Sequence, residues 1–138
     1  MSAHAEPKRV VQRYLDALVG GDVDTIRDSF ADDATWTVVS DLPFAGPWCG
    51  RDRIVTDFLG GVVSALFEAG SHVFEFPMMI GEGETVALEW RVQARTAAGQ
   101  AYENNYCGLF VIRDGRIAAV REYLDTQYAA ELLFPDRG

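Results

Sequence analysis

One acid stands out by the position its strand gives it. Over residues ~116–124 the alternation puts Ala118, Val120, Glu122 and Leu124 on one face, and Arg121, Tyr123 and Asp125 on the other. Glu122 is therefore a carboxylate on an otherwise apolar stripe. Such a group is a core acid paired with an arginine for structure, an acid at a wet edge, or a carboxylate held in a dry pocket. In the pocket, desolvation disfavours the ionised form and lifts the pKa toward neutrality. That suits general acid–base chemistry. Other chemistry-bearing residue types are scarce. His4 and His72 lie far apart, with no cysteine or acid at metal-ligand spacing. Cys49 and Cys107 make no C-x-x-C pair, and two are too few for a disulfide framework. No glycine-rich loop follows a strand, and no serine sits in a nucleophile elbow. Chemistry in this chain falls to carboxylates, Arg, Tyr and Asn, without a metal or cofactor.

The elements that must position these residues follow from hydrophobic period. Val10, Val11, Tyr14, Leu15 and Leu18 recur at helical spacing, which predicts a helix over about 6–19. Gly20-Gly21 ends it, and Asp22 caps a short second helix with Ile26 and Phe30 on its inner side. Ala34 to Val39 reads as a strand. Residues 40–50, with two prolines and two glycines, read as a loop. A third helix carries Ile54, Val55, Phe58, Leu59, Val62, Val63 and Leu66 on one broad stripe. Gly60 and Gly61 each cost it about 1 kcal/mol against alanine, a sign of close packing there. From residue 72 the period becomes two, predicting strands at about 72–80, 84–95, 101–112 and 116–124. A last helix follows over about 126–133. Helices followed by hairpin-joined strands give an α+β fold with an antiparallel sheet.

The 138 residues are 49% hydrophobic and 24% charged, which fits one domain over 1–138 with its own core. Twelve basic against twenty-one acidic residues leave a net charge of −9, which repels phosphate backbones and anionic lipid. Nucleic acid and membrane are therefore not expected partners. Met1-Ser2-Ala3-His4-Ala5-Glu6 has no apolar signal-peptide core, and the longest apolar run falls far short of a bilayer span. The expectation is a soluble, cytoplasmic protein.

Two strand faces matter for Glu122. In strand 84–95, Val86, Leu88, Trp90 and Val92 oppose Thr85, Glu89, Arg91 and Gln93, and the polar face alone reads as solvated. In strand 101–112, Tyr102, Asn104, Tyr106, Gly108 and Phe110 oppose Glu103, Asn105, Cys107, Leu109 and Val111. A two-residue Asp114-Gly115 turn would pair Glu122 with Cys107, whereas a three-residue loop from Arg113 would pair it with Tyr106.

Several segments together resemble the ketosteroid-isomerase/SnoaL-like superfamily, with its nuclear-transport-factor-2-like fold. Val10-Val11-Gln12-Arg13-Tyr14, Gly21-Asp22 and Phe30-Ala31-Asp32-Asp33-Ala34-Thr35 resemble ketosteroid isomerases. Asp114-Gly115-Arg116-Ile117 and Arg121-Glu122-Tyr123-Leu124-Asp125-Thr126 resemble SnoaL-like proteins and limonene-epoxide hydrolases. The resemblance implies a strongly curved antiparallel or mixed sheet wrapped around three N-terminal helices, a conical apolar pocket between them, and a homodimer through the outer sheet face. Of the isomerase set only Tyr14 is present; Val38 stands at the base position and Gly108 near the second donor. The hydrolase register turns Glu89, Arg91, Asn104, Tyr106 and Glu122 into the pocket. It puts Glu122 on the water-activating acid, with Glu89 and Arg91 exchanged relative to the family's arginine and second acid. Trp36 and Val38 replace its water holders. Cyclases of the superfamily place a proton-transfer acid near Glu122.

The resemblance implies a cofactor-independent enzyme moving a proton on a small, apolar, oxygenated molecule by isomerisation, cyclisation or dehydration. Glu122 would transfer the proton, Arg91 would orient it with Glu89 as second acid, and Tyr106 and Tyr14 would stabilise negative charge. Asn104 would bind an oxygen. Trp36, Val38, Phe44, Trp48, Phe58, Val62 and Met78 would form the wall, with Trp48 as a lid and Trp90 and Val92 on the outer face. Epoxide hydrolysis and a non-catalytic ligand-binding or dimerisation domain are the alternatives.

Overall fold

A computed structural model describes residues 5–137. Helix α1 (Ala5–Gly20) buries Val11, Tyr14, Leu15 and Ala17 along one stripe. It ends where Gly21 takes a positive φ of 70°. The Asp22 carboxylate accepts from Thr25 N at 3.2 Å and caps α2 (Val23–Asp28). Strand β1 (Phe30–Val38) starts four residues before the expected Ala34. A register shift between Phe30 and Thr35 leaves Asp32 and Asp33 exposed, so the start of the strand carries no alternation to read. Inside the expected loop, Trp48–Cys49 form a two-residue strand, β2, against β1.

The third helix is not an ordinary α-helix. Arg53–Val63 is a π-helix, continued by one α-helical turn, α3 (Ser64–Leu66). Its glycines fit that wider coil. A Cβ on Gly60 would lie 3.0 Å from the Val55 carbonyl oxygen, and one on Gly61 would lie 3.3 Å from that of Thr56. What packs closely at these glycines is the helix's own backbone five residues back.

The remaining strands are β3 (Val73–Glu82), β4 (Thr85–Arg95), β5 (Ala101–Arg113) and β6 (Arg116–Leu124), followed by α4 (Thr126–Leu133). They form one curved, unclosed, six-stranded sheet in the order β2-β1-β6-β5-β4-β3. The β1–β6 pair is parallel and every other pair antiparallel, so the sheet is mixed. Val86, Leu88, Tyr102, Phe110 and Val120 are buried on its inner face, and α1 lies across β3 to β6. The core sits between that face and the helices. No helix among the described residues is long and apolar enough to cross a membrane.

Candidate functional site

Glu122 projects from β6 into this space. In the parallel β1–β6 pair, Val38 stands opposite Glu122 and Trp36 opposite Val120. The Trp36 indole Nε1 donates to Glu122 Oε1 at 3.0 Å. The other carboxyl oxygen, Oε2, has no hydrogen-bond partner among the described residues. Among the described residues, no fully buried side-chain nitrogen or oxygen is left unpaired. Oε2 therefore opens onto the cavity that Glu122 lines. This cavity has a volume of about 110 Å³ and is walled by Tyr14, Trp36, Phe58, Leu88, Trp90 and Phe110, among others. Glu122 itself is 8% exposed. Burial pushes its pKa up to about 7, against a smaller lowering by the Trp36 hydrogen bond. No cation among the described residues offsets that burial.

Two phenols share the cavity wall with it. Tyr14, on the inner stripe of α1, packs edge-on against Phe30 with ring centroids 5.4 Å apart. Its hydroxyl has no hydrogen-bond partner among the described residues, so it too faces open space. Burial, and then the negative charge of Glu122, hold its pKa far above the usual phenol value. Tyr106 of β5 stacks flat on Trp90, with centroids 5.3 Å apart and planes 5° apart. Its hydroxyl lies 2.7 Å from that of Tyr102. Burial raises its pKa first and farthest, so both phenols keep their protons across the physiological range.

The hairpin that sets this register combines features of both expected turns. Arg113 pairs with Arg116 around a two-residue Asp114-Gly115 turn. Between Val111 and Ile112 the register then shifts by one residue, with Ala118 as the extra residue on β6. Glu122 consequently faces Gly108, neither Cys107 nor Tyr106. The shift restores the parity of the three-residue loop, and so Tyr102, Asn104, Tyr106, Gly108 and Phe110 share the inner face with Glu122. Gly108 is required there: a Cβ would lie 2.8 Å from Trp90 Cζ3 and 2.9 Å from Phe110 Cε1.

The structure corrects the expected acid–arginine–acid set. Glu89 is exposed on the outer sheet face. Arg91 is on the same face, within 3.5 Å of Glu103 and 4.0 Å of Glu75, with its Nε donating to Asn105. Neither residue reaches Glu122, and Arg91 cannot orient it. Trp90 and Val92 line the cavity where an outer stripe was expected. The strand's own alternation carries this result: its polar face is solvated, as the residues alone indicate, and the register taken from the resemblance inverts it.

Of the expected wall, Trp36, Phe44 and Phe58 line the cavity. Val38 is fully buried in the core beneath it, and Val62 packs half-buried against that core. Trp48 is half-buried behind Phe58 at 5.2 Å, with its Nε1 donating to the Phe44 carbonyl, so it buttresses the wall and is no lid. Met78 is 53% exposed and belongs to no part of the pocket. Asn104 is 3% exposed and does not reach the cavity, because Tyr102 and the Asp125 carbonyl take its amide protons. Sequence reasoning missed His72, Phe74 and Phe76, which line the cavity's less buried end with Phe67. Their signal was present as a period-two aromatic row on β3. The rings of His72 and Phe74 stack at 5.6 Å, and burial lowers the His72 pKa, keeping that ring neutral. Among the described residues no three His, Cys, Asp or Glu side chains gather as a metal site. His4 lies outside the described residues.

Residues 11–120 match the family described as the SnoaL-like domain. The chain belongs to that family. Solved structures agree on its nuclear-transport-factor-2-like fold. Bal32a, from a soil-derived mobile gene cassette, superposes with a TM-score of 0.84 at 22% identity, over 96% of this chain and 99% of its own. A proposed SnoaL-like polyketide cyclase from Jannaschia sp. CCS1 gives 0.81 at 16%, over 96% and 94%. An LEH-like epoxide hydrolase from M. tuberculosis gives 0.73 at 24%, over 97% and 93%. At these identities the likeness to this SnoaL-like chain is one of fold.

Proposed function

We propose that this SnoaL-like protein is a cofactor-independent proton-transfer enzyme for a small, apolar carbonyl compound. The observation that carries the reading is the free Oε2 of Glu122, open to an otherwise aromatic and aliphatic cavity with no cation beside it among the described residues. A carboxyl with a pKa of about 7 is close to evenly split between base and acid at neutral pH. It can take a proton from carbon α to a carbonyl and return it elsewhere. The charge that develops on the carbonyl oxygen needs hydrogen-bond donors, and Tyr14 and Tyr106 keep their protons for that use. The indole of Trp36 fixes Oε1, so one oxygen is anchored and the other is free to react. A largely apolar cavity of this size is of the order that holds a single ring.

The acid–arginine–acid arrangement for epoxide opening does not form, since Glu89 and Arg91 stand outside. A single poised acid suits isomerisation or dehydration through an enol better. The test is α-proton exchange of 2-cyclohexenone in deuterated water, followed by NMR. The protein should accelerate exchange, and Glu122→Gln should remove on the order of 10²- to 10⁴-fold of that acceleration. Equal exchange by protein and variant would leave only a ligand-binding role.

The proposal extends to assembly as a homodimer through the outer sheet face. With Trp90 and Val92 turned inward, the outer apolar surface is Met78 and Ile80, with the half-buried Ala87, Leu109 and Val111 alongside. Ile80 is 57% exposed. Light scattering should give twice the 15.2 kDa chain mass, and Ile80→Glu should return it to one chain.

A further inference from the structure

We infer that Asn104, which touches no part of the cavity, is a positioning residue that makes the Tyr106 hydroxyl a fixed hydrogen-bond donor to the ligand. The site then selects molecules that offer an acceptor oxygen. The inference rests on the reading of the cavity as the ligand site, and adds how that site chooses its ligand.

The direction of every bond in the chain can be worked out. Asn105 N donates to Asn104 Oδ1 at 2.8 Å, and a backbone N–H can only donate. The amide nitrogen therefore lies on the other side. There it donates to the Asp125 carbonyl at 3.1 Å, which can only accept. These two backbone groups leave the amide one orientation. Its second N–H goes to the Tyr102 hydroxyl at 3.0 Å, so Tyr102 accepts. Tyr102 is 2% exposed, and its own proton has one further partner, the Tyr106 oxygen at 2.7 Å. Were Tyr106 to donate instead, the Tyr102 proton would be buried without an acceptor, which is costly. Tyr102 therefore donates and Tyr106 accepts. The Tyr106 proton has no acceptor among the described residues and is left for the cavity its ring lines. The relay runs one way, from backbone to Asn104, Tyr102, Tyr106 and ligand. Tyr128 packs at a tilt against Tyr102, with ring centroids 5.4 Å apart, and its hydroxyl accepts from Glu103 N, so the relay is also held sideways.

The experiment compares 2-cyclohexenone with its hydrocarbon counterpart, 1-methylcyclohexene, by ligand-observed NMR titration without turnover. The protein should bind the ketone about tenfold tighter than the hydrocarbon, the scale of one good neutral hydrogen bond. Tyr106→Phe has no proton to give, and in Asn104→Asp the second carboxyl oxygen accepts from Tyr102 and lets Tyr106 donate inward, so each should remove most of that preference, with hydrocarbon affinity held within about twofold, and the double variant should lose no more than either single one. A lost proton alone would not give that pattern if Asn104 only supported the fold, because both ligands would then weaken together. Should they weaken together in Asn104→Asp, adding Tyr102→Phe to it carries the test: this removes the oxygen that held the Tyr106 proton, so the ketone preference should return. The inference is overturned if Asn104→Asp keeps the ketone preference, if adding Tyr102→Phe fails to restore it, or if the protein has none. A preference lost in Tyr106→Phe but kept in Asn104→Asp would remove Asn104 from the account and leave Tyr106 as donor. Absence of Glu122-dependent proton exchange alongside an intact preference would instead overturn the enzymatic reading alone.

Discussion

Glu122 is a carboxyl taken out of water with one indole N–H for company. Removing an acid from water favours its neutral form, and here the usual remedy, a guanidinium, is on the far side of the sheet. The cost appears as a stability term that depends on pH. The folded chain holds the Glu122 proton up to about pH 7, while the unfolded chain releases it near 4.5. Between those values the native state binds more protons, so its stability falls as pH rises and stays lower above about 7. The loss is on the order of 3 kcal/mol. Glu122→Gln cannot ionise and should be spared it. Its stability relative to the parent, from urea denaturation, should improve by about that amount between pH ~4 and pH ~8. Beside it, Gly108→Ala should cost about 1–3 kcal/mol by thermal unfolding, because the new methyl collides with Trp90 and Phe110. Glu122 was legible in the sequence because a single acid breaks an apolar alternation. The fate of Arg91 was also legible in the alternation of β4, but the register borrowed from a resembling family pointed the other way. The relay was legible in part: Tyr102, Asn104 and Tyr106 share one face of β5, but the order of their bonds is set by the Asn105 N–H and the Asp125 carbonyl, which the alternation does not reveal.

At the scale of elements, the helix over Arg53–Val63 shows how a sequence reading can find the element and miss its kind. The apolar stripe was clear, and Gly60-Gly61 signalled crowding without naming its source. The source is the π coil itself. This gives a test with a definite sign. In an ordinary α-helix, Gly60→Ala would stabilise by about 1 kcal/mol. In the π-helix the methyl meets the Val55 carbonyl at 3.0 Å, so the substitution should gain nothing or lose stability. Gly20, at the end of α1, has no atom within 4 Å of its Cβ position and serves as the control, where alanine should stabilise. The one-residue shift in the last hairpin was hidden for a related reason. Ala118 and Ala119 are both small and apolar, so slipping one past the other leaves the hydrophobic pattern unchanged while it changes the partner of Glu122. Turn chemistry alone could not reveal it.

The molecule as a whole is a curved sheet closed over by helices, and curvature is what makes the cavity. A flat sheet of these strands would bring Leu88, Trp90, Phe110 and Glu122 against α1 with no space between. Fold class and element order were readable because local period, turn residues and capping agree along most of the chain. The inner side of the sheet was readable wherever alternation was clean. The partner of the poised acid was not, because it depends on how strands slide past one another. The central claim is that this acid stands alone and half-ionised near neutrality. Carbon-13 NMR of the glutamate carboxyl carbons, with Glu122 assigned by its absence in Glu122→Gln, measures that directly. The account predicts a titration midpoint at about 7. A midpoint near the ordinary 4.5 would show a carboxylate already satisfied by solvent or a counter-ion, and would contradict it.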